Sequence, residues 1–232
     1  MSITPVAEQR TLVQRVHDAI VEAICDGRLA TGEPLRQERL ASMLGVSRQP
    51  IHEALALLGR QGLVAEHGRR GVRVAALDPA FVLRLYAVRG VLEGLAAREA
   101  AGRADATLRR EGQALIDQGR HSIAAGDHAA MIRADVAFHD FIYRRSGNPM
   151  IARTLDLHWT HVRRLMGEVL RAPGGRSGMS LERIWAEHAA ILDAIAAGDA
   201  DEAERRARAH ADRAAAELAG RLAAAEARPS AA

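Results

Sequence analysis

The sequence predicts a mainly α-helical protein of two domains. Alanine, leucine, arginine and glutamate favour helices and dominate its 232 residues, whereas aromatic residues make up only 3%. The alternation of apolar and polar residues that marks a half-buried strand occurs in one stretch, residues 63–77. Beyond Asp78 and Pro79 the apolar residues repeat with helical spacing. These observations predict a small sheet in the N-terminal domain and helices elsewhere.

The composition excludes several classes of protein. A hydrophobic content of 48% is enough for two cores. No apolar run approaches the roughly 20 residues of a membrane helix, and the first residues lack an export signal, so we expect a cytoplasmic protein with no membrane partner. The single cysteine, Cys25, excludes an internal disulfide and a cysteine-rich zinc site. The net charge of +3 is too small to indicate a partner by itself.

The N-terminal domain, residues 8–77, carries the pattern of a winged helix-turn-helix. Residues 11–27 show an apolar helical stripe. A breaker-rich turn separates it from a short helix over residues 37–44, a tight turn at Gly45, and a second helix that begins at Ser47. Serine is a favoured N-cap residue, and this short spacing between two helices is typical of DNA-reading motifs.

Polar side chains occupy the positions of this motif that would face DNA. Arg48, Gln49 and His52 lie at the start of the second helix, the end that enters the major groove. Arginine can form two hydrogen bonds to guanine, and glutamine can do the same to adenine. The alternating stretch that follows is interrupted by Arg69 and Arg70, and it predicts a two-stranded wing with these two residues at its tip.

The local charge supports contact with phosphates. Residues 36–73 contain seven arginines and three glutamates. The alternative is that these arginines are only the solvated surface of an ordinary three-helix domain. Taken together, the turn, the cap, the buried pattern and the basic wing favour DNA binding.

The segments CDGRL, LRQERLASMLGVSRQPIHEAL, QGLV and GRRGVRV resemble the winged helix-turn-helix domain of GntR-type bacterial transcription regulators, from about Leu12 to Ala76. The resemblance implies that Arg48 and the wing contact a double-stranded DNA operator. His52 stands where the family usually has arginine, and Gln37 where it often has glutamate, so the operator sequence can differ from the usual one. The residues expected to contact DNA are Arg36, Gln37, Ser47, Arg48, Gln49, His52, Arg69, Arg70 and Gly71.

The second domain, residues 78–225, is predicted to be an all-α six-helix bundle. Glycines, prolines and the loop APGGRSG separate its helical stretches. That loop lacks the strand and the GK[ST] ending of a phosphate-binding loop, so we interpret it as a connector. The predicted helices span about residues 79–101, 104–125, 127–146, 149–170, 180–197 and 199–222.

Four polar groups lie on the apolar faces of three of these helices. Asp135 and His139 share a face one turn apart, and His188 and His210 align with apolar residues on two later helices. Burying such groups is costly unless they are paired, and a shared cation lowers the cost. Histidine nitrogen and aspartate oxygen suit Zn, Ni, Mn, Fe or Co. The alternatives are hydrogen-bonded core histidines or a simple buried pair of an aspartate and a histidine.

The segments DVAFH, EHAAILDAIAAGD and RAHAD resemble the helical ligand-binding (FCD-type) domain of the FadR subgroup of GntR regulators, from about Phe81 to Leu218. The resemblance implies that Asp135, His139, His188 and His210 bind a divalent transition metal, with Zn or Ni favoured. It also implies a small organic acid as effector and Arg89 as the partner of its carboxylate. Arg89 could instead be a surface residue.

His158 falls on an apolar face, so it either lines the effector pocket or fills the core. The sequence as a whole predicts a homodimeric transcription repressor that a small carboxylate metabolite releases from its operator. Two alternatives stay open: a metal-dependent enzyme that uses the open positions of the metal, and a purely structural metal.

Overall fold

The computed structural model describes residues 10–68, 71–171 and 181–226. The chain divides into two compact units between Ala76 and Leu77. Each unit has its own apolar core. The predicted fold class is confirmed. In the part of the chain that the structure describes, no helix is both long enough and apolar enough to cross a lipid bilayer.

The N-terminal unit combines three helices with a small antiparallel sheet. Its strands are β1 (Pro34–Leu35), β2 (Val64–His67) and β3 (Gly71–Val74), in the order β1-β3-β2, and Pro34 lies opposite Arg73. The sequence predicted only the two strands of the wing, because β1 is two residues long and lies in a segment rich in turn residues. The elements are α1 (Leu12–Cys25), β1 (Pro34–Leu35), α2 (Gln37–Leu44), α3 (Arg48–Arg60), β2 (Val64–His67) and β3 (Gly71–Val74).

Local sequence explains the start of the helix-turn-helix. Thr11 and Gln14 form a capping box at the start of α1, in which each side chain accepts a hydrogen bond from the backbone N–H of the other residue. Gly45 ends α2 in the left-handed conformation (φ +64°), which lets the chain turn sharply into α3. Ile51 and Leu58 of α3 are fully buried in the core of this unit.

The second unit contains six helices within its described residues. Asp78 caps the first helix through its side chain, and Pro79 occupies its first turn. The second helix begins at Leu108, later than predicted, because the Asp105 carboxylate accepts the backbone N–H groups of Thr107 and Leu108 in a turn. The helices are α4 (Pro79–Ala101), α5 (Leu108–Ala124), α6 (His128–Arg145), α7 (Pro149–Arg171), α8 (Leu181–Ala196) and α9 (Ala200–Glu226). The predicted connector APGGRSG lies outside the described residues.

Helix packing in this unit depends on small residues. Gly119 of α5 faces the indole of Trp185 on α8, and a Cβ atom built on this glycine would lie 2.0 Å from a ring carbon. Gly112, two turns earlier on the same helix, faces Leu192 of α8 in the same way. The close approach of α5 and α8 therefore requires a residue without a side chain at Gly119, where the rigid indole ring leaves no space for a Cβ atom.

Candidate functional site

Three helices of the second unit direct polar side chains at one another inside the apolar core. Asp135 and His139 come from α6, His188 from α8 and His210 from α9, and all four residues are buried. One ring nitrogen from each histidine lies within 4.8 Å of the others. His188 Nε2 is 3.2 Å from His210 Nε2 and 3.6 Å from Asp135 Oδ1. The structure thus brings together the three histidines for which the sequence predicted a metal-binding role, and Asp135 approaches them at His188.

The protonation of these groups reflects their burial. Burial lowers the pKa of His139 and His188 well below 6.5, and the positive charge near them lowers it further. Burial also raises the pKa of Asp135 to about 6, against the attraction of His210 and Arg89. Neutral imidazole is the form of histidine that ligates metals. The donor set, three imidazoles and one carboxylate, fits a transition metal.

Two carboxylates stand behind the imidazoles. His210 Nδ1 donates a hydrogen bond to Glu187 Oε2 at 2.8 Å, which leaves its Nε2 directed at the cluster. Burial raises the pKa of Glu187, but hydrogen bonds from His210 and Arg213 outweigh this and lower it to about 2. Glu93 Oε1 lies 3.6 Å from His139 Nδ1. Neither glutamate was predicted from the sequence.

Arg89 is buried in α4 rather than exposed, so the surface interpretation of this residue is wrong. Its Nε and Nη2 donate to Glu93 Oε1 at 3.1 and 2.6 Å, and Tyr143 donates to the same oxygen at 2.7 Å. The guanidinium carbon lies 4.6 and 4.7 Å from the ring centres of Tyr86 and Trp159. Its Nη1 is buried and has no hydrogen-bond partner among the described residues.

Arg89 and three of the four polar residues line one cavity of about 40 Å³. Asp135, His139 and His210 line it beside Tyr86, and α8 and α9 supply much of the remaining wall. The cavity exceeds the roughly 10–15 Å³ that one water molecule needs. Nη1 of Arg89 is therefore a buried donor beside a space that can hold a small ligand.

His158 is partly buried on α7, and its Nδ1 has no hydrogen-bond partner among the described residues. Burial lowers the pKa of this imidazole, and the charge of Arg89 lowers it further. His158 is not one of the residues that line the cavity of about 40 Å³. Its role in effector binding stays a prediction.

The predicted DNA-binding residues lie on α2, α3 and the sheet of the first unit. Arg48 Nη1 is 3.2 Å from Glu38 Oε1, and Gln37 Nε2 is 3.4 Å from His52 Nδ1. Ser47 is the N-cap of α3, but its side chain forms no capping hydrogen bond. Arg69 and Arg70, which the sequence predicts at the tip of a wing, lie outside the described residues.

One further polar contact and a groove complete this surface. Gln49 Nε2 donates to Glu53 Oε1 at 2.7 Å, along the exposed side of α3. A groove of about 1060 Å³ runs between α3 and the sheet, and its walls include Arg36, Arg48 and Gly71. The exposed side of α3 and this groove thus carry most of the polar groups that the sequence singled out.

Both units match known families. Residues 12–74 match the gntR family of bacterial regulatory proteins, and residues 84–213 match the FCD domain family. The second match covers more than half of the chain.

Curated relatives with related functions span most of this chain. A probable D-xylose utilization operon transcriptional repressor of Paenarthrobacter nicotinovorans is 28% identical over 84% of this chain and 83% of its own length. The transcriptional repressor NanR of Cronobacter sakazakii is 31% identical over 89% of this chain and 84% of its own length. The Glc operon transcriptional activator of Escherichia coli is 30% identical over 88% of this chain and 87% of its own length.

Solved structures share the fold. McbR/YncC of E. coli superimposes with a TM-score of 0.75 at 20% identity, covering 90% of this chain and 98% of that one. A GntR-type regulator from Rhodococcus sp. RHA1 gives a TM-score of 0.73 at 24% identity, covering 90% of this chain and 97% of that one.

Proposed function

Because this chain belongs to the GntR family of bacterial regulatory proteins and carries an FCD domain, we propose that a divalent metal and a small organic acid control its binding to an operator. The family makes the protein a DNA-binding transcriptional regulator. Its relatives are regulators and not enzymes, so the alternative of a metal-dependent enzyme is wrong. Bacterial operators lie in the cytoplasm, where we expect the protein to act.

The convergence of three buried imidazole nitrogens within 4.8 Å carries the metal proposal. His139, His188 and His210 would hold the ion together with Asp135. Four protein ligands leave coordination positions open on a metal that prefers five or six. Such a metal would supply a Lewis-acidic contact for an incoming carboxylate oxygen. Zinc and nickel are the favoured ions, and manganese, iron and cobalt also suit this donor set.

The free donor of Arg89 supports a carboxylate as effector. Its Nη1 is buried without a partner beside the cavity that Asp135, His139 and His210 also line. A buried guanidinium N–H left unpaired is costly, and a carboxylate oxygen would satisfy it. We propose His158 as a further contact near this effector, reached when the cavity is occupied.

We propose that α3 reads bases in the major groove through Arg48, Gln49 and His52. The hydrogen bond between Gln37 and His52 holds the imidazole against α2, so the two side chains would read one base pair together. Arg36, Ser47 and Gly71 would contact phosphates, as would Arg69 and Arg70 at the wing tip.

An exposed apolar stripe on α4 supports a homodimer formed by the helical unit. Leu83, Val88, Val91 and Leu95 are between 36% and 51% exposed on this helix. Exposed apolar patches of this kind mark interfaces. A palindromic operator requires two reading heads related by a two-fold axis, so we propose a second copy of this chain as the occupant.

We propose that the effector releases the dimer from DNA, so that the metabolite relieves repression. The relatives include both repressors and an activator, and the sign therefore needs measurement. Effector binding must favour one spacing of the two DNA-binding units over another, because a ligand shifts an equilibrium only through differential affinity.

Fluorescence anisotropy with a duplex taken from upstream of the protein's own gene tests this proposal. The zinc-loaded protein should bind this duplex more tightly than a scrambled one, and Arg48→Ala should weaken specific binding by roughly tenfold or more. A panel of small carboxylic acids should contain one that weakens binding. His188→Ala should lose this response, whereas His121→Ala, at an exposed histidine of α5, should keep it. An unchanged response in His188→Ala would contradict the metal-linked sensor.

A further inference from the structure

Glu93 lines the cavity, but the proposed binding of a metal and an organic acid does not explain why a carboxylate is buried there. Its side chain is 4% exposed, and its Oε1 accepts two hydrogen bonds from Arg89 and one from Tyr143. The same oxygen lies 3.6 Å from His139 Nδ1. One carboxylate oxygen therefore contacts both the cation proposed to bind the effector and a proposed metal ligand.

We propose that Glu93 makes this site selective for small carboxylic acids with one negative charge over those with two. The inference rests on the proposed function, because it concerns the acid that the same cavity would take. Glu93 forms a buried ion pair with Arg89, and this ion pair uses most of the positive charge that Arg89 would otherwise offer to a ligand.

The charges inside the cavity support this selectivity. Arg89 contributes one positive charge and a divalent ion two, while Glu93 and Asp135 contribute one negative charge each. Metal-bound imidazoles are neutral. One positive charge is left, and a single carboxylate neutralises it. A second carboxylate would be buried without a counterion, which is costly in a cavity of low dielectric.

The rim of the cavity does not supply the missing counterion. Glu187 pairs with Arg213 Nε at 2.7 Å, and Arg183 Nη2 lies 2.8 Å from Glu217 Oε2. All four residues line the cavity, and their charges balance. The cavity of about 40 Å³ is also small, so the second carboxylate of a short diacid would stay inside it, near rim residues whose charges are already balanced.

The same charge balance makes anion binding depend on the metal. Without a divalent ion, the buried ion pair of Arg89 and Glu93 is already balanced, and the site lacks the two positive charges of the metal. A carboxylate ligand would then find no net positive charge to neutralise. The metal must therefore bind before the acid.

Oxamate and oxalate are a suitable pair of probes, because they have nearly the same shape but carry one and two negative charges. Isothermal titration of the zinc-loaded full-length protein should give tighter binding of oxamate than of oxalate. In Glu93→Gln, the ratio of the two dissociation constants should shift toward oxalate by roughly 10- to 100-fold, as expected for one unit charge a few ångströms away. Zinc content is measured after each titration, since oxalate can remove metal.

One control separates charge at this site from general disturbance. Glu99→Gln changes charge on α4 at a residue that does not line the cavity, and it should keep the wild-type preference.

The wild-type ratio tests the inference even where Glu93→Gln does not fold. Equal or tighter binding of oxalate by the wild-type protein would overturn it, and so would an unchanged ratio in a folded Glu93→Gln. If the zinc-loaded wild-type protein binds neither acid, the proposed carboxylate site itself fails and the selectivity fails with it. Binding of oxamate equally well without zinc would overturn the predicted order.

Discussion

Replacing Arg89 by methionine should destabilise the helical unit by about 3–5 kcal/mol, the cost of leaving one partner of a buried ion pair without its counterion. Both side chains of the Arg89–Glu93 pair are 4% exposed, so solvent screens them little. The substitution removes two hydrogen bonds, at 2.6 and 3.1 Å, from the same Glu93 oxygen. Methionine fills much of the space between the rings of Tyr86 and Trp159, so the lost charge dominates the effect.

The assay is denaturant unfolding of the metal-free protein followed by tryptophan fluorescence. Both tryptophans of the sequence, Trp159 and Trp185, lie in the helical unit and report on it alone. Removing both charges in Arg89→Met/Glu93→Gln should recover most of the loss, to within about 2 kcal/mol of the wild type, because no unpaired charge stays buried. The reasoning is refuted if Arg89→Met costs less than about 1 kcal/mol, or if the double variant is no more stable than Arg89→Met.

Two further predictions concern the stability of the same unit. In the folded protein His139 and His188 stay neutral, because burial lowers their pKa. Their contribution to the stability of the metal-free protein is therefore present above pH 6.5 and is lost as the pH falls. Asp135, whose pKa is raised to about 6, acts in the opposite sense and partly offsets this loss. The free energy of unfolding should therefore fall by about 1.4 kcal/mol for each pH unit of acidification near pH 5. Denaturant midpoints at several pH values measure it, and stability that rises on acidification would contradict it. Gly119→Ala should destabilise by about 1–3 kcal/mol, because its Cβ would overlap Trp185, although alanine favours helices. Unchanged or greater stability of this variant in the same assay would show that α5 and α8 can separate at no cost.

Local patterns were sufficient to predict the DNA-binding unit. The turn at Gly45 depends on a single residue with a strong conformational preference, and the structure has it where the sequence places it. Ser47 also occupies the N-cap position that the sequence predicts, although its side chain forms no capping hydrogen bond. The burial of Asp135, His139, His188 and His210 was also predictable, because a helix period of 3.6 residues fixes which face each occupies. A short strand such as β1 leaves no such pattern, since its partner β3 lies far along the chain.

The environment of Arg89 was not predictable from its own helix. Apolar residues lie all around α4, and some of them, such as Val88 and Val91, are exposed. Sequence periodicity therefore does not show which face is buried. The roles of Glu93 and Glu187 depend on contacts between helices, which a single helix pattern does not show. The spacing of Arg89 and Glu93, four residues apart, is nevertheless that of an ion pair within one helix. A search for acidic residues at such spacings from candidate ligands would have found Glu93.

The metal at the centre of the helical unit is the claim on which the sensor account depends, and X-ray absorption spectroscopy of the zinc-loaded full-length protein tests it most directly. The account predicts one zinc ion per chain with about three imidazole nitrogens at roughly 2.0–2.1 Å and at least one oxygen ligand. A spectrum with no imidazole scattering, or the same spectrum from a folded His139→Ala/His188→Ala variant, would contradict it.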